Sequence, residues 1–306
     1  MLEVVFWDVQ HGHACYVNFP NDRHMMIDLG TGSFGDNKPF SPLLHLKTKY
    51  GVKQLDYVVI THPHRDHLDD IFNFDALSPI TLHRPNHLTD QQVLEGNKKE
   101  DSAKINEYLK ISHRYTSPVQ PGGSSDFRAA SEWGGVKMSF FLSTACPTGN
   151  LNNHSLVTIF DYASSKIIVP GDNQSESWKE LIKNNDFVVA AKNPDVLLAP
   201  HHGRIAGYCP ELFEAIGKPY ITVISDGPYC DTSATSSYGN QSRGWRVYYP
   251  DDSYEERKCV TTRTDGYVLV RAYFSSGDGK PRLNVRVQKG SAKVADVAIG
   301  PVGRLP

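Results

Sequence analysis

Hydrophobic positions fall into short runs whose period changes along the chain. Residues 3–8 and 14–19 are β-rich segments around a glycine-containing turn, and residues 25–29 form a third apolar run stopped by Gly30. A loop over 31–42 follows, holding Gly32, Gly35, Pro39 and Pro42, and 41–51 predicts a helix with Gly51 near its C-cap. Residues 55–60 are almost continuously apolar, the pattern of a strand buried on both faces. A stretch of different character, roughly 85–135, holds one polar helix at 99–111 and a Pro/Gly/Ser loop at 117–125. It predicts an insertion on a scaffold that resumes at Val136, and long loops in compact domains are usually functional.

Strand and helix alternate in the second half. Strands are predicted at 155–162 and 166–169, meeting at a turn near Ser164-Ser165. Asn173 with Glu176 resembles a capping pair that opens a helix over 178–182. A short strand at 195–198 runs into Pro200-His201-His202-Gly203, and Pro210 and Gly217 bracket another helix. Later strands fall at 220–225, 246–249 and 266–273, and 283–288 is the candidate for an added edge hairpin. There is no internal repeat, and strands interspersed with helices predict an α/β layered domain.

Composition narrows the class. The chain has 306 residues, 39% hydrophobic and 10% aromatic, enough to bury a core and too apolar for a largely disordered chain. No apolar run approaches the roughly 18–20 residues that span a bilayer, and the N-terminus lacks a basic-then-apolar signal pattern. The expectation is therefore a soluble cytoplasmic protein without a membrane role. Five cysteines, odd in number and without a CxxC, argue against a disulfide framework or a thiolate zinc site and favour a reducing compartment. What composition does not flatten is histidine: there are 13, unevenly placed.

His62, His64, Asp66 and His67 form an HxHxDH cluster at the end of the buried strand, a pattern expected by chance in roughly one such protein in several hundred. Alternate residues of an extended loop point the same way, so His62 and His64 can bind one ion. Asp66 and His67, from the following turn, can reach a second. Imidazole with carboxylate suits zinc, and also manganese or iron. Pro170-Gly171-Asp172 also follows an apolar strand, where a carboxylate can bridge two ions. Adjacent His201 and His202 point to different sides, so one can ligate metal while the other faces substrate. Asn152-Asn153-His154-Ser155 precedes a further strand and offers His154 as a third ligand for the first ion. All four elements begin or end apolar strands and can converge on one edge of a sheet sandwich.

These motifs together resemble the metallo-β-lactamase superfamily, and within it the ComEC-like branch, which includes the hydrolase domain of DNA-uptake proteins. Phosphorylcholine esterases are related. Phe6-Trp7-Asp8-Val9-Gln10-His11-Gly12-His13-Ala14 resembles that branch's "LDVGQGDA", and Met26-Ile27-Asp28-Leu29-Gly30 its "lIDtG". Leu55 to Asp69 resembles "iD-lilTHpHaDHigG", Asn152 to Val157 "NnxSLvl", Val169 to Asp172 "lltGD", and Leu198 to Gly203 "kapHHGs". The resemblance covers roughly residues 2 to 270.

It implies an αββα sandwich as a single domain over 1–275, with residues 276–306 a C-terminal extension. Two divalent ions are implied at one edge, Zn2+ first and Mn2+ as the alternative. His62 and His64, with His154, would hold the first ion. Asp66, His67 and one of His201 or His202 would hold the second, and Asp172 would bridge both. A bridging water brought toward a neutral pKa would be the nucleophile. The spare histidine of the His201–His202 pair is the candidate for protonating the leaving group or holding substrate.

The departures are local. His13 stands where the branch has Asp, preceded by an additional His11, and Asn240 replaces the histidine of a "yGHP" motif. No multi-span channel accompanies the domain, so a DNA-transport role does not carry over. The branch makes phosphodiester hydrolysis the leading reaction, on nucleic acid, a nucleotide or a small phosphodiester. An ester or lactone hydrolase on the same metals, needing an apolar pocket from the insertion, is the alternative; a non-enzymatic metal-containing binding protein is a third. A partner protein is compatible with any of them. The net charge of −2 averages residues 1–240, with 20 Lys/Arg and 27 Asp/Glu, and residues 241–306, with 12 and 7. That basic segment is either a phosphate-binding face or a solvated surface, and Tyr238, Trp245, Tyr248 and Tyr249 beside it either stack on bases or a choline head group or belong to the core.

Overall fold

Each early strand sends alternate side chains to two different cores, which is why its apolar run is nearly continuous. The computed structural model of the chain describes residues 1–34, 38–227 and 232–288. In chain order the first strands are β1 (Leu2–Phe6), β2 (Cys15–Asn18), β3 (His24–Ile27), a small hairpin β4 (Gly32–Phe34) and β5 (Lys38–Phe40), β6 (Tyr57–Val59) and β7 (Thr81–His83). The chain then lays down β8 (Lys137–Phe141), β9 (Val157–Tyr162), β10 (Ser165–Val169), β11 (Val196–Leu198) and β12 (Ile221–Ile224). It returns through β13 (Trp245–Tyr248) and β14 (Tyr254–Arg257), crosses once more for β15 (Cys259–Thr261), and ends on β16 (Val268–Phe274) and β17 (Pro281–Val287).

Two mixed sheets result, ordered β14-β13-β17-β16-β1-β2-β3-β6-β7 and β15-β12-β11-β10-β9-β8. Val4, Phe6, Val17, Ile27 and Val59 face Ile167, Val169, Leu198 and Val223 across the inter-sheet core. The intervening Val5, Tyr16, Met26 and Val58 pack outward against Leu43, Leu46, Phe74 and Tyr108. On the second sheet Ile168, Leu197 and Ile224 pack outward against Trp178, Phe187, Leu212 and Tyr238. The architecture is the expected αββα sandwich, a single domain.

Several local expectations shift. The helix at 41–51 begins as α-helix (Pro42–His45, capped by Ser41), widens to π-helix over Leu46–Tyr50, and ends on Gly51 at φ +70°. The Asn173–Glu176 capping pair does not form. The Asn173 amide donates instead to Ser155 O and Pro170 O, and the helix Ser175–Leu181 starts after Gln174. The 85–135 stretch, expected to be an insertion, is more ordered than its composition predicts, with helices Asp90–Glu95 and Ser102–Ser112 packed by Val93, Ile105 and Tyr108 into the outer core. In the 276–306 extension, Pro281–Val287 lies between β16 and β13, inside the sheet and not at its edge, because Val285 and Val287 face the inter-sheet core. The rest of the extension, 289–306, lies outside the described residues.

Candidate metal centre

Four loops meet at one rim of the sandwich, each following or preceding a buried strand. After β6 the chain crosses the rim through Thr61 and His62 into a 3-10 turn, Arg65–His67. The Leu29 amide donates to His67 O at 2.9 Å, and the His13 amide to Asp66 O at 3.3 Å. Gly12 makes that approach feasible: at φ +133°, a Cβ there would meet Asp66 O at 2.6 Å. After β10, the Asp172 amide donates to Ser155 Oγ at 3.0 Å. After β11, His201, His202 and Gly203 take left-handed backbone at φ +51°, +55° and +69°. Two consecutive non-glycine residues in that region are costly and are retained where surrounding structure holds a functional geometry. The His201 amide donates to Gly171 O, tying this turn to the one carrying Asp172.

The structure brings Asp66, His67, Asp172 and His202 together, one ligand atom of each lying within 4.8 Å of the others. His202 Nε2 is 3.2 Å from Asp172 Oδ2 and 3.3 Å from Asp66 Oδ2, and His67 Nε2 is 3.3 Å from Asp172 Oδ1. Both Nε2 atoms are buried, and neither makes a well-formed hydrogen bond. Donors about 2.0–2.1 Å from a tetrahedral ion lie about 3.3 Å apart, so these spacings fit such an ion better than direct bonding. The tautomers are prepared as well. His202 Nδ1 donates to Ser225 O at 3.1 Å and His67 Nδ1 faces Asp28 Oδ2 at 2.7 Å, which turns both Nε2 atoms inward.

The electrostatics give the same account. Burial works against the imidazolium of His202, but the charges of Asp172 and Asp66 prevail and push its pKa up to about 10. His67 is likewise raised, against burial, by Asp172 and Asp28. Burial also opposes ionisation of Asp66 and Asp172, yet the facing histidines hold both well below the usual carboxylate range. The two carboxylates thus hold protons on the two facing histidines, and a cation bound among the four groups would take the place of those protons.

His62 and His64 lie on the flank of this cluster, His62 Nε2 at 2.9 Å from His64 Nδ1 and the His62 ring 4.2 Å from that of His67. Burial pushes both below the ordinary histidine value, leaving neutral imidazoles suited to ligation. The expected companion His154 is not with them. Its Nδ1 faces His87 Nε2 at 2.9 Å and Ser143 O at 3.2 Å, and its Nε2 lies 3.3 Å from Pro147 O, so both nitrogens are engaged by the insertion and the loop after β8. Of the His201–His202 pair, His202 enters the cluster. His201 is half-buried with Nδ1 3.3 Å from the Gln174 side-chain amide.

Asp28 is the residue that sequence reasoning left without a role. Fully buried, it accepts from Thr61 N at 2.7 Å and Thr61 Oγ1 at 2.7 Å and faces His67 and His13. Burial opposes its charge, but His67 and the bond to His13 hold it well below the usual range. The signal was present: an aspartate closing an otherwise apolar strand has to be paired. His13 therefore acts behind His67 through Asp28. His11 stands at the front, its Nε2 3.3 Å from Asp66 Oδ2 and its ring 5.1 Å from that of His202.

Over the cluster opens a cleft of about 360 Å³ whose lining includes His11, His64, Arg65, Asp66, Asn97 and Lys98. Asn97 and Lys98 come from the insertion, and Asn97 Nδ2 donates to Pro63 O at 2.8 Å. The candidate stacking aromatics are elsewhere: Tyr238 and Tyr249 are buried, Trp245 packs on Tyr220 at 4.7 Å and Tyr248 on Tyr254 at 5.6 Å. Asn240 is exposed on the helix Thr235–Gln241. In the basic C-terminal segment Arg257, Arg263, Arg271, Arg282 and Arg286 each face a carboxylate, which favours a solvated surface over a phosphate-binding face. Among the described residues no helix is long and apolar enough to cross a membrane.

Residues 9–203 match the profile of the metallo-beta-lactamase superfamily. The chain is 24% identical over 249 residues to ComE operon protein 3 of Bacillus subtilis (strain 168), covering 74% of this chain and 28% of that protein. It thus spans well under a third of that relative. Among solved structures it resembles a Thermotoga maritima protein described as a Zn-dependent hydrolase of the superfamily, with 11% identity and a TM-score of 0.41 over 85% of this chain and 97% of that one. A long-form RNase Z from yeast matches with 9% identity and a TM-score of 0.41, over 92% of this chain and 50% of that one. The profile match takes in well over half of the chain and includes every loop of the Asp66–His67–Asp172–His202 cluster, and on that ground the chain belongs to the metallo-beta-lactamase superfamily.

Proposed function

We propose that this chain is a dinuclear-metal-dependent phosphodiesterase or nuclease acting on a nucleotide, a short nucleic acid or a small phosphodiester. The observation that carries the reading is the buried Asp66–His67–Asp172–His202 cluster, with two unbonded Nε2 atoms turned into it and His62 and His64 beside it. In this reading Asp66, His67, Asp172 and His202 hold one divalent ion, and His62, His64 and Asp172 hold the other, Zn2+ first and Mn2+ as the alternative. Bound ions there supply Lewis-acid polarisation of a phosphoryl oxygen and a water of lowered pKa.

The chain's own residues do the rest. Asp28 and Ser225 orient the ligand rings, and the insertion closes one side of the cleft through Asn97 and Lys98. His201, outside the ligand cluster and half-exposed, is the group left to hold substrate or pass a proton to the leaving group. The cleft lining is polar, with Arg65 and Lys98 beside Asp66 and Asp101, and suits a polar substrate. An ester or lactone hydrolase needs an apolar pocket that the cleft lacks. A cytoplasmic setting belongs to the same proposal, supported by the free thiols of Cys15, Cys146, Cys209 and Cys259. Cys230 lies outside the described residues.

Turnover of bis(p-nitrophenyl) phosphate by zinc- or manganese-loaded wild type, compared with His64→Ala, tests the reading. Metal-dependent hydrolysis that falls at least about 100-fold in the variant is expected for a lost ligand. No metal-dependent turnover of any phosphodiester by wild type sinks it.

A further inference from the structure

Nine arginines of the described chain each face a carboxylate. Among the described residues Arg84, Arg204, Arg243 and Arg246 do not, and of these Arg204 lies beside the Asp66–His67–Asp172–His202 cluster, against His11. Among the described residues its side chain has a single hydrogen-bond partner, His11, whose Nδ1 lies 3.4 Å from a terminal guanidinium nitrogen. Its Nε is buried and makes no hydrogen bond among the described residues. A guanidinium carries five N–H donors and a permanent charge, and a neutral imidazole at 3.4 Å is a weak acceptor for it. A buried donor without an acceptor is costly, which points to a ligand that completes it.

The placement of Arg204 is built, not accidental. Its amide donates to His201 O at 3.0 Å and its backbone bridges to Ser233, so the residue is pinned on both sides. The preceding Gly203, at φ +69°, packs so closely on Ile224 that a Cβ would meet Cγ2 at 2.6 Å. The group Arg204 leans on, His11, forms part of the cleft wall and touches Asp66. Arg204 therefore presents a positive charge, unmatched among the described residues, beside the cleft wall formed by His11, one residue past the turn that carries His202.

We propose that Arg204 is the anion-recognition residue of this site: it exchanges its weak bond to His11 for a non-bridging phosphate oxygen of the substrate and makes the site selective for phosphodiesters over neutral esters. The inference rests on the phosphodiesterase reading for its substrate, and on the geometry of Arg204 alone for its anion. Planar, bidentate donors match two phosphate oxygens, which a lysine in the same place does not.

The test uses metal-loaded wild type, Arg204→Gln and Arg204→Lys, with inorganic phosphate as the probe in calorimetric titration. KM for bis(p-nitrophenyl) phosphate and the rate ratio against p-nitrophenyl acetate are measured alongside. Arg204→Gln is expected to weaken phosphate binding and raise the phosphodiester KM about ten-fold or more, with the phosphodiester-to-ester ratio falling in step. Arg204→Lys is expected to recover part of the loss. Metal content and melting temperature identify a variant that has lost its site or fold, in which case Arg204→Lys carries the comparison. Phosphate binding within two-fold of wild type in a variant that keeps its metal overturns the proposal, as does wild type that binds no phosphate. Wild type that binds phosphate through Arg204 yet hydrolyses only neutral esters upholds the anion site and overturns the phosphodiesterase reading.

Discussion

Asp28 shows how one buried side chain sets the state of several others. It is the common acceptor for His13, His67 and the backbone and hydroxyl of Thr61, so it determines which nitrogen of His67 faces the metal cluster. Outer partners of this kind typically change metal affinity by 10–100-fold. Asp28→Asn is therefore expected to lower zinc affinity by about that factor in chelator competition, with the fold intact by circular dichroism; unchanged affinity would remove Asp28 from the metal site. A second aspartate, Asp8 in the connection between β1 and β2, sets a pH dependence away from the ligands. Burial pushes the Asp8 carboxyl from 3.8 up to about 6, against the hydrogen bond from the Gln10 amide and with Asp226 adding to it. The folded chain then holds more protons at Asp8 than the unfolded chain between about pH 4 and 6, so its contribution to stability falls as pH rises through that window. Asp8→Asn is expected to flatten that part of the melting-temperature profile and raise stability at pH 7–8. A profile identical to wild type contradicts the assignment.

At the scale of elements, the centre depends on loops that lock into one another more than on any single strand. The turn between β1 and β2 closes on the Arg65–His67 turn through Gly12, where a Cβ has no room. Gly12→Ala is expected to cost about 1–3 kcal/mol in urea unfolding and to lower metal stoichiometry, since strain there displaces the carbonyl of Asp66. A variant with full metal loading and wild-type stability shows the contact to be slack. The sequence pattern marked both turns by their glycines and histidines, yet gave no sign of their contact, which joins residues 12 and 66. The same holds for the insertion. Its polar composition predicted a loop with one helix, while Val93, Ile105 and Tyr108 anchor two helices on the outer core. Leu109 and Ile111 join them, and these few apolar positions suffice because the receiving surface already exists.

For the whole molecule, the last strand decides how the large sheet is completed. β17 pairs with β16 on one side and β13 on the other, and without it β13 and β14 have no connection to the rest. Val285→Ala, at a fully buried position, is expected to cost about 2 kcal/mol by loss of buried methyl groups and the cavity left behind. Arg282→Ala, whose pair with Asp278 is exposed, is expected to change stability by under about 0.5 kcal/mol. Equal and small effects in both variants would mean that β17 contributes little to the sheet. The alternating valines of this strand were visible in sequence, but their partner was not, because β17 reaches β1 only through the intervening β16.

The sequence by itself determined the layered α/β class, the strands of the two sheets other than β7, β8, β14 and β15, and the loops that carry chemistry. Those features are local: a period of two, a glycine or proline stop, a histidine cluster after a buried run. Only the tertiary structure decided that His202 and not His201 enters the cluster, because three left-handed residues in succession set which ring turns inward. It also turned His154 toward His87, drew Asp28 into the site, and left Arg204 without a carboxylate among the described residues. Each of these depends on the direction of a side chain relative to a distant loop. Such directions follow from packing between segments that are remote in sequence, and no local pattern encodes them.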